Sequence, residues 1–271
     1  MEDLFERFYL GLYSKIVNES GSVKSPQEDV EFILLRSRLG INQIDFVLKA
    51  VRASDTPMHK GVEILAKMER SNGAEPEFDQ SLLQTSPYYA LCASLVYLKL
   101  GKFDDALSIL NGVSHQEAPA LRVQALLGLN RADLAEKELG KISNVVLKGL
   151  ASAWVGLQKD SDATQSALFA LQDIAERYEM SPLLANTIAC CHFTLGEWES
   201  GKMVIQEAIE RYPNDEALQV NNAVAMNHTG DYEGFSNQVS LIMSQNNQYT
   251  AGINSLLEDF DSTAQRLSSS E

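Results

Sequence analysis

The chain has 271 residues, 45% hydrophobic and 22% charged, with 37 acidic against 22 basic side chains and a formal charge of −15. Such a chain can bury a sizeable core without disulfide or metal staples, and its carboxylate excess repels phosphate, which argues against nucleic acid and against adsorption to anionic lipid. Three cysteines, Cys92, Cys190 and Cys191, cannot build a disulfide framework and suit reduced cytosol, and no run approaches 18 uncharged apolar residues, so neither a signal segment nor direct membrane insertion is expected.

Taken in chain order, residues 1–70 read as degenerate helical repeats. Phe8-Tyr-Leu-Gly11-Leu-Tyr13 has the form of a first turn between helices, and Phe32-Ile-Leu-Leu-Arg-Ser-Arg-Leu-Gly40 that of a second helix end. Residues 71–86, opening Ser71-Asn-Gly-Ala-Glu-Pro-Glu-Phe-Asp79, carry Gly, Pro and acids and are expected to form an irregular loop. From 87 to 244 a motif recurs: Leu100-Gly-Lys-Phe-Asp-Asp-Ala106, Leu129-Asn-Arg-Ala-Asp-Leu-Ala135, Leu195-Gly-Glu-Trp-Glu-Ser-Gly201 and Thr229-Gly-Asp-Tyr-Glu-Gly-Phe235. Gly196 and Gly230 stand 34 residues apart, which is the tetratricopeptide period.

The physics of the repeat accounts for its residues. A first helix ends at Gly, or at Asn130, where a left-handed turn is cheap. An aromatic two residues on (Phe103, Trp198, Tyr232) can fold back over the helix pair, and small residues (Ala106, Ala135, Ala167, Gly201) let the two helices approach. Helix pairs are therefore predicted near 87–113, 118–142, 148–176, 182–211 and 216–244, with Pro213 stopping the fourth. Residues 245–271 read as a capping helix built on Leu256, Leu257 and Phe260, followed by a Ser-rich tail. The predicted fold is all-α, a single right-handed α-α superhelix of tetratricopeptide-like repeats.

Little in the sequence suggests catalysis. Gly196-Glu-Trp-Glu-Ser-Gly-Lys202-Met203 satisfies G-x-x-x-x-G-K, but Met replaces the magnesium-binding hydroxyl, two glutamates occupy the phosphate cradle, and no strand precedes it. His59, His115, His192 and His228 form no metal-ligand spacing, and adjacent Cys190 and Cys191 splay apart on a helix. No G-x-S-x-G is present. The chain is read as non-enzymatic, with no cofactor and no metal.

What remains is the concave face of the first helices of the pairs. In the repeat register this face offers Tyr88, Leu91, Leu95 and Leu98 from the unit at Pro87, with Lys99 beside them. The unit at Pro182 adds Asn186, Cys190 and Phe193, and the unit at Glu216 adds Val220, Val224 and Asn227. The set is mostly apolar, lacks the paired Lys, Arg and Asn of a carboxylate clamp, and is the predicted partner-binding site. Leu95→Asp combined with Val224→Asp is expected to abolish partner binding while leaving helicity intact.

Beyond the repeat pattern, the order of features resembles the coatomer epsilon-subunit family of the COPI vesicle coat. The resemblance runs nearly end to end and is carried by Leu4-Phe-Glu-Arg-Phe-Tyr-Leu-Gly-Leu-Tyr13, Leu129-Asn-Arg-Ala-Asp-Leu-Ala-Glu-Lys-Glu-Leu139, Leu150-Ala-Ser-Ala-Trp154, Ala189-Cys-Cys-His-Phe-Thr-Leu-Gly-Glu-Trp198 and Asp259-Phe-Asp261. It implies a structural subunit that binds and stabilises the C-terminal region of the alpha coatomer subunit as a heterodimer, its superhelix closing around part of that partner. It also implies contacts with the remaining coatomer subunits, and a cytoplasmic protein held peripherally on Golgi membranes and COPI vesicles through the coat, serving Golgi-to-ER and intra-Golgi transport. The alternative is a free-standing tetratricopeptide adaptor that holds a peptide in the same groove.

Overall fold

In the computed structural model, which describes residues 2–19, 27–71, 75–245 and 249–268, every regular element is a helix. Five pairs make the repeat: α7 (Pro87–Lys99) with α8 (Phe103–Leu110), α9 (Ala118–Gly128) with α10 (Ala132–Leu139), α11 (Val145–Lys159) with α12 (Ser161–Arg177), α13 (Pro182–Thr194) with α14 (Trp198–Arg211), and α15 (Glu216–His228) with α16 (Tyr232–Ser244). Before them come α1 (Glu2–Tyr9), α2 (Tyr13–Glu19), α3 (Glu28–Gly40), α4 (Ile44–Val51), α5 (Pro57–Arg70) and the short α6 (Gln80–Thr85); α17 (Thr250–Ser268) follows. The chain is an all-α helical repeat. By internal contacts it divides into two compact units, Met1–Thr187 and Ile188–Glu271, with the boundary inside α13.

Local chemistry sets the helix ends. Ser86 Oγ accepts from the Tyr89 N–H at 3.3 Å, while Asn144, Asp160 and Asp215 cap α11, α12 and α15 in the same way. At the other end, Gly101, Asn130, Gly196 and Gly230 all have positive φ. Across each turn the residue after the left-handed one donates its N–H to a carbonyl five residues back, as Glu197 does to His192 at 2.9 Å. Gly11 and Asn42 repeat this geometry, with Leu12 bonded to Arg7 and Gln43 to Arg38. The turn expected at Gly11 is therefore a repeat turn, whereas the second one falls at Asn42, two residues after Gly40, because Gly40 still belongs to α3.

The α11–α12 junction alone among the five pairs ends without a left-handed residue. Asp160, extended at φ −158 and ψ 169, is both the last cap of α11 and the first of α12. The helices can then pack hard: a Cβ built on Gly156 would lie 3.0 Å from Ala163 C and from the Thr164 N and Cα, all backbone. Gly156→Ala should therefore destabilise by up to about 2 kcal/mol, because overpacking against backbone costs roughly 1–3 kcal/mol while the helix gains about 1 kcal/mol of propensity. Gly252→Ala, in α17 with nothing within 4 Å, should be neutral or stabilising. Urea unfolding of the two variants checks the opposite signs.

Two expectations need correction. Residues 71–86 contain α6, capped by Asp79, whose carboxylate accepts from the Ser81 and Leu82 N–H groups; residues 72–74 lie outside the described residues. Of the three turn aromatics, Phe103 folds over Gly128 and Trp198 stacks on Phe193, but Tyr232 is 69% exposed. The Ser-rich tail beyond residue 268 also lies outside the described residues.

In the first unit one hydrophobic cluster runs through α3, α4, α5 and α7, centred on Phe32, Val47, Val62, Leu91 and Val96; a second joins α9, α10 and α11 around Val123, Ala135 and Val155. The second unit has a thinner core, with Ile205, Ala208, Leu218, Ala225 and Ile242 buried.

Candidate partner-binding faces

In the first unit the N-terminal segment folds back across the starts of the later helices. Glu6 accepts a hydrogen bond from Asn144 Nδ2 at 3.1 Å, the Tyr9 hydroxyl donates to Glu117 at 3.4 Å, and Lys15 pairs with Glu179. Phe8, Tyr9, Leu10, Leu12 and Ile16 are all buried there. A charged pair anchors the arrangement. Arg36 Nη1 donates to both Glu117 carboxylate oxygens at 3.0 and 2.7 Å, and its guanidinium carbon lies 4.7 and 4.8 Å from the Phe8 and Phe32 ring centres. Burial works against the Arg36 charge, but the facing Glu117 outweighs it and raises the guanidinium above its ordinary value. Burial first, and Glu117 second, push the Tyr9 hydroxyl up as well. His115, whose Nδ1 accepts from the Glu117 N–H at 3.1 Å, is driven below the usual imidazole value by desolvation.

This packing changes the status of the predicted α7 residues. The Tyr88 hydroxyl donates to Asp29 at 2.6 Å, and its ring meets Phe32 at 5.1 Å. Leu91 is wholly buried, and Leu95 and Leu98 are half-buried against the first cluster. Lys99 pairs with Glu69. Tyr88 and Leu91 are thus engaged within the chain, because α3 and the helices before it lie over the face the repeat register leaves open. Leu95→Asp would then damage the core as well as any interface, so it no longer isolates a binding effect.

Two hollows border the covered face. One, of about 740 Å³, is lined by Phe5, Glu6, Asp29, Tyr88, His115, Asn144 and neighbours. Glu6 Oε2 is buried there without a hydrogen-bond partner. The other, of about 370 Å³, lies between Phe8, Tyr13, Arg36, Leu65 and Leu95. Asn186, also in the first unit, is half-buried.

The second unit brings the remaining predicted residues together on α13 and α15. Asn221 Nδ2 reaches Cys190 Sγ at 3.9 Å. Phe193, Trp198 and His228 stack in series, with ring centres 5.0 and 3.6 Å apart, and Phe193 lies where a side chain on Gly201 would stand. Val220, Val224 and Asn227 share one face of α15 at helical spacing; Val220 is half-buried, and Val224 and Asn227 are exposed.

None of the three cysteines is an activated nucleophile. Burial pushes the Cys92 and Cys191 thiols up to about 12 and raises Cys190, so all three are protonated at neutral pH. Among the described residues no group of three or more His, Cys, Asp or Glu is placed to hold a metal ion, and no helix is long and apolar enough to cross a membrane.

The sequence reading missed Arg36, Glu117, Tyr9, Glu6 and Asn144. One signal was available: Arg36 lies four residues after Phe32 and three before Leu39, so a helix places its charge inside an apolar stripe, where it must find a buried partner.

Comparison with known proteins agrees with the architecture. The chain is 25% identical over 275 residues to coatomer subunit epsilon of Dictyostelium discoideum, covering 91% of each chain. It is 26% identical over 260 residues to coatomer subunit epsilon-1 of Arabidopsis thaliana, covering 88% of this chain and 87% of the relative. A rice relative, coatomer subunit epsilon-1 of Oryza sativa subsp. japonica, is 24% identical over 236 residues, or 82% of each. The family described as coatomer epsilon subunit matches residues 2–268, and on a match spanning the whole helical repeat the chain belongs to the coatomer epsilon-subunit family.

Proposed function

We propose that this chain is a non-catalytic structural subunit of the COPI coat that binds and stabilises the C-terminal region of the alpha coatomer subunit, in Golgi-to-ER and intra-Golgi vesicle transport. The observation that carries the reading is the family match over residues 2–268, which takes in the N-terminal helices as well as the repeats. Cytoplasmic placement, with attachment to Golgi membranes through the coat, follows from the same reading, and the charge of −15 supports recruitment by other subunits rather than by lipid. The partner-binding residues best supported are those left accessible on α15, Val224 and Asn227, together with the half-buried Val220 on the same helix and Phe193 and Cys190 on α13.

Co-expression with the C-terminal third of an alpha coatomer subunit, followed by size-exclusion chromatography with light scattering, tests the reading. A one-to-one complex that survives high salt is expected, since an apolar contact is little screened. Val224→Asp, which puts a carboxylate into that contact, should weaken it at least about tenfold, or roughly 1.4 kcal/mol. Separate elution of two folded proteins would instead favour a free-standing peptide-binding adaptor.

A further inference from the structure

The terminal helix α17 carries an apolar face that this chain leaves in water. Leu256, Leu257 and Phe260 are 72%, 54% and 70% exposed. On a helix turning about 100° per residue they fall, with Ile253, within a single arc of roughly 100°. Level with these side chains the borders of that arc are acidic: Asp259 flanks it on one side and Asp261 on the other, while Glu258 points further round and the basic Arg266 stands two turns beyond Asp259 on its side.

We infer that α17 is a docking helix whose partner is another protein of the coat, one that offers an apolar groove with lysine or arginine on both walls. The charges choose among the occupants. A bilayer carrying anionic headgroups would repel Asp259 and Asp261, which sit at the depth where an interfacial helix normally places lysine and arginine. A second copy of α17 would bring the same carboxylate borders together, in a chain whose formal charge is already −15. A groove with basic walls pairs Asp259 and Asp261 at once and covers Ile253, Leu256, Leu257 and Phe260, which stand in the i, i+3, i+4, i+7 spacing of a helix held in a groove. The inference rests on the coat-subunit reading but uses none of the residues assigned to the alpha contact.

The test places a photo-crosslinking amino acid at Leu257 in the full chain, within coat complex reconstituted from purified subunits, and maps the adducts by mass spectrometry. The expected result is one dominant adduct on another coat subunit, at apolar residues flanked by lysine or arginine on both sides. Asp259→Lys with Asp261→Lys should cut its yield at least fivefold, while the one-to-one complex with the alpha C-terminal region and the helical circular dichroism stay unchanged. Adducts within the same chain, to a second copy, or to lipid when phosphatidylserine vesicles are added would overturn the inference, as would a yield indifferent to the charge reversal. A wild-type chain that fails to enter the complex overturns this inference together with the coat-subunit reading; an intact complex with unaltered adducts overturns this inference alone.

Discussion

Removing residues 1–19 should unfold the first unit rather than shorten it. Five buried apolar side chains leave with the segment, Phe8, Tyr9, Leu10, Leu12 and Ile16. At about 1.5–3 kcal/mol each, their burial amounts to roughly 8–15 kcal/mol as an upper bound. That is as large as the whole stability expected of a domain, about 5–15 kcal/mol. The deletion also strips Tyr9 from Glu117, Glu6 from Asn144 and Lys15 from Glu179, and it exposes the apolar groups beneath them. The expected outcome is a chain that has lost much of its cooperative melting transition and aggregates, followed by circular dichroism and light scattering. A truncated chain that melts at the wild-type temperature would show that α1 and α2 are an appended tail and not part of the core.

Arg36→Met should be the most damaging single substitution of a charged residue. It keeps the aliphatic stem between Phe8 and Phe32 but leaves Glu117, 4% exposed, as a buried carboxylate with only the long 3.4 Å bond from Tyr9. Breaking a buried pair from one side costs about 3–5 kcal/mol, which in a chain of this size lowers Tm by roughly 10 °C. Arg36→Met with Glu117→Leu removes both charges and should recover most of the loss, because the desolvation of the orphaned ion disappears with it. Thermal melts of the two single variants and the double variant give the coupling directly. If the double variant were as unstable as the sum of the singles, the pair would be a surface-like contact of small effect, and the N-terminal segment would be held by its apolar side chains alone.

The repeat was legible in the sequence because its determinants are local. A left-handed turn needs glycine or asparagine, a helix start needs Ser, Asp or Asn, and a helix pair needs a small residue where the two axes close; all are satisfied within about a dozen residues by Ser86, Gly101, Asn130, Asp160, Gly196 and Gly230. The family was legible for a related reason, since runs such as Arg131–Leu139 and the Ala153-Trp154 pair keep their order along the whole chain. By itself the sequence therefore determined an all-α repeat, most of its helix pairs and its kinship; the first helices begin at Pro87, Ala118, Val145, Pro182 and Glu216, so the 34-residue spacing holds only between the last two. Only the tertiary structure decided which inner faces remain accessible. Tyr88 and Leu91 occupy positions that a repeat register opens to a partner, yet they are covered through contacts 59 to 138 residues apart in sequence, such as Tyr88 with Asp29, Tyr9 with Glu117 and Glu6 with Asn144. No local propensity encodes such pairings. They exist because a buried arginine needs a carboxylate and a row of N-terminal apolar side chains needs cover, and each finds its complement only once the chain has folded back on itself.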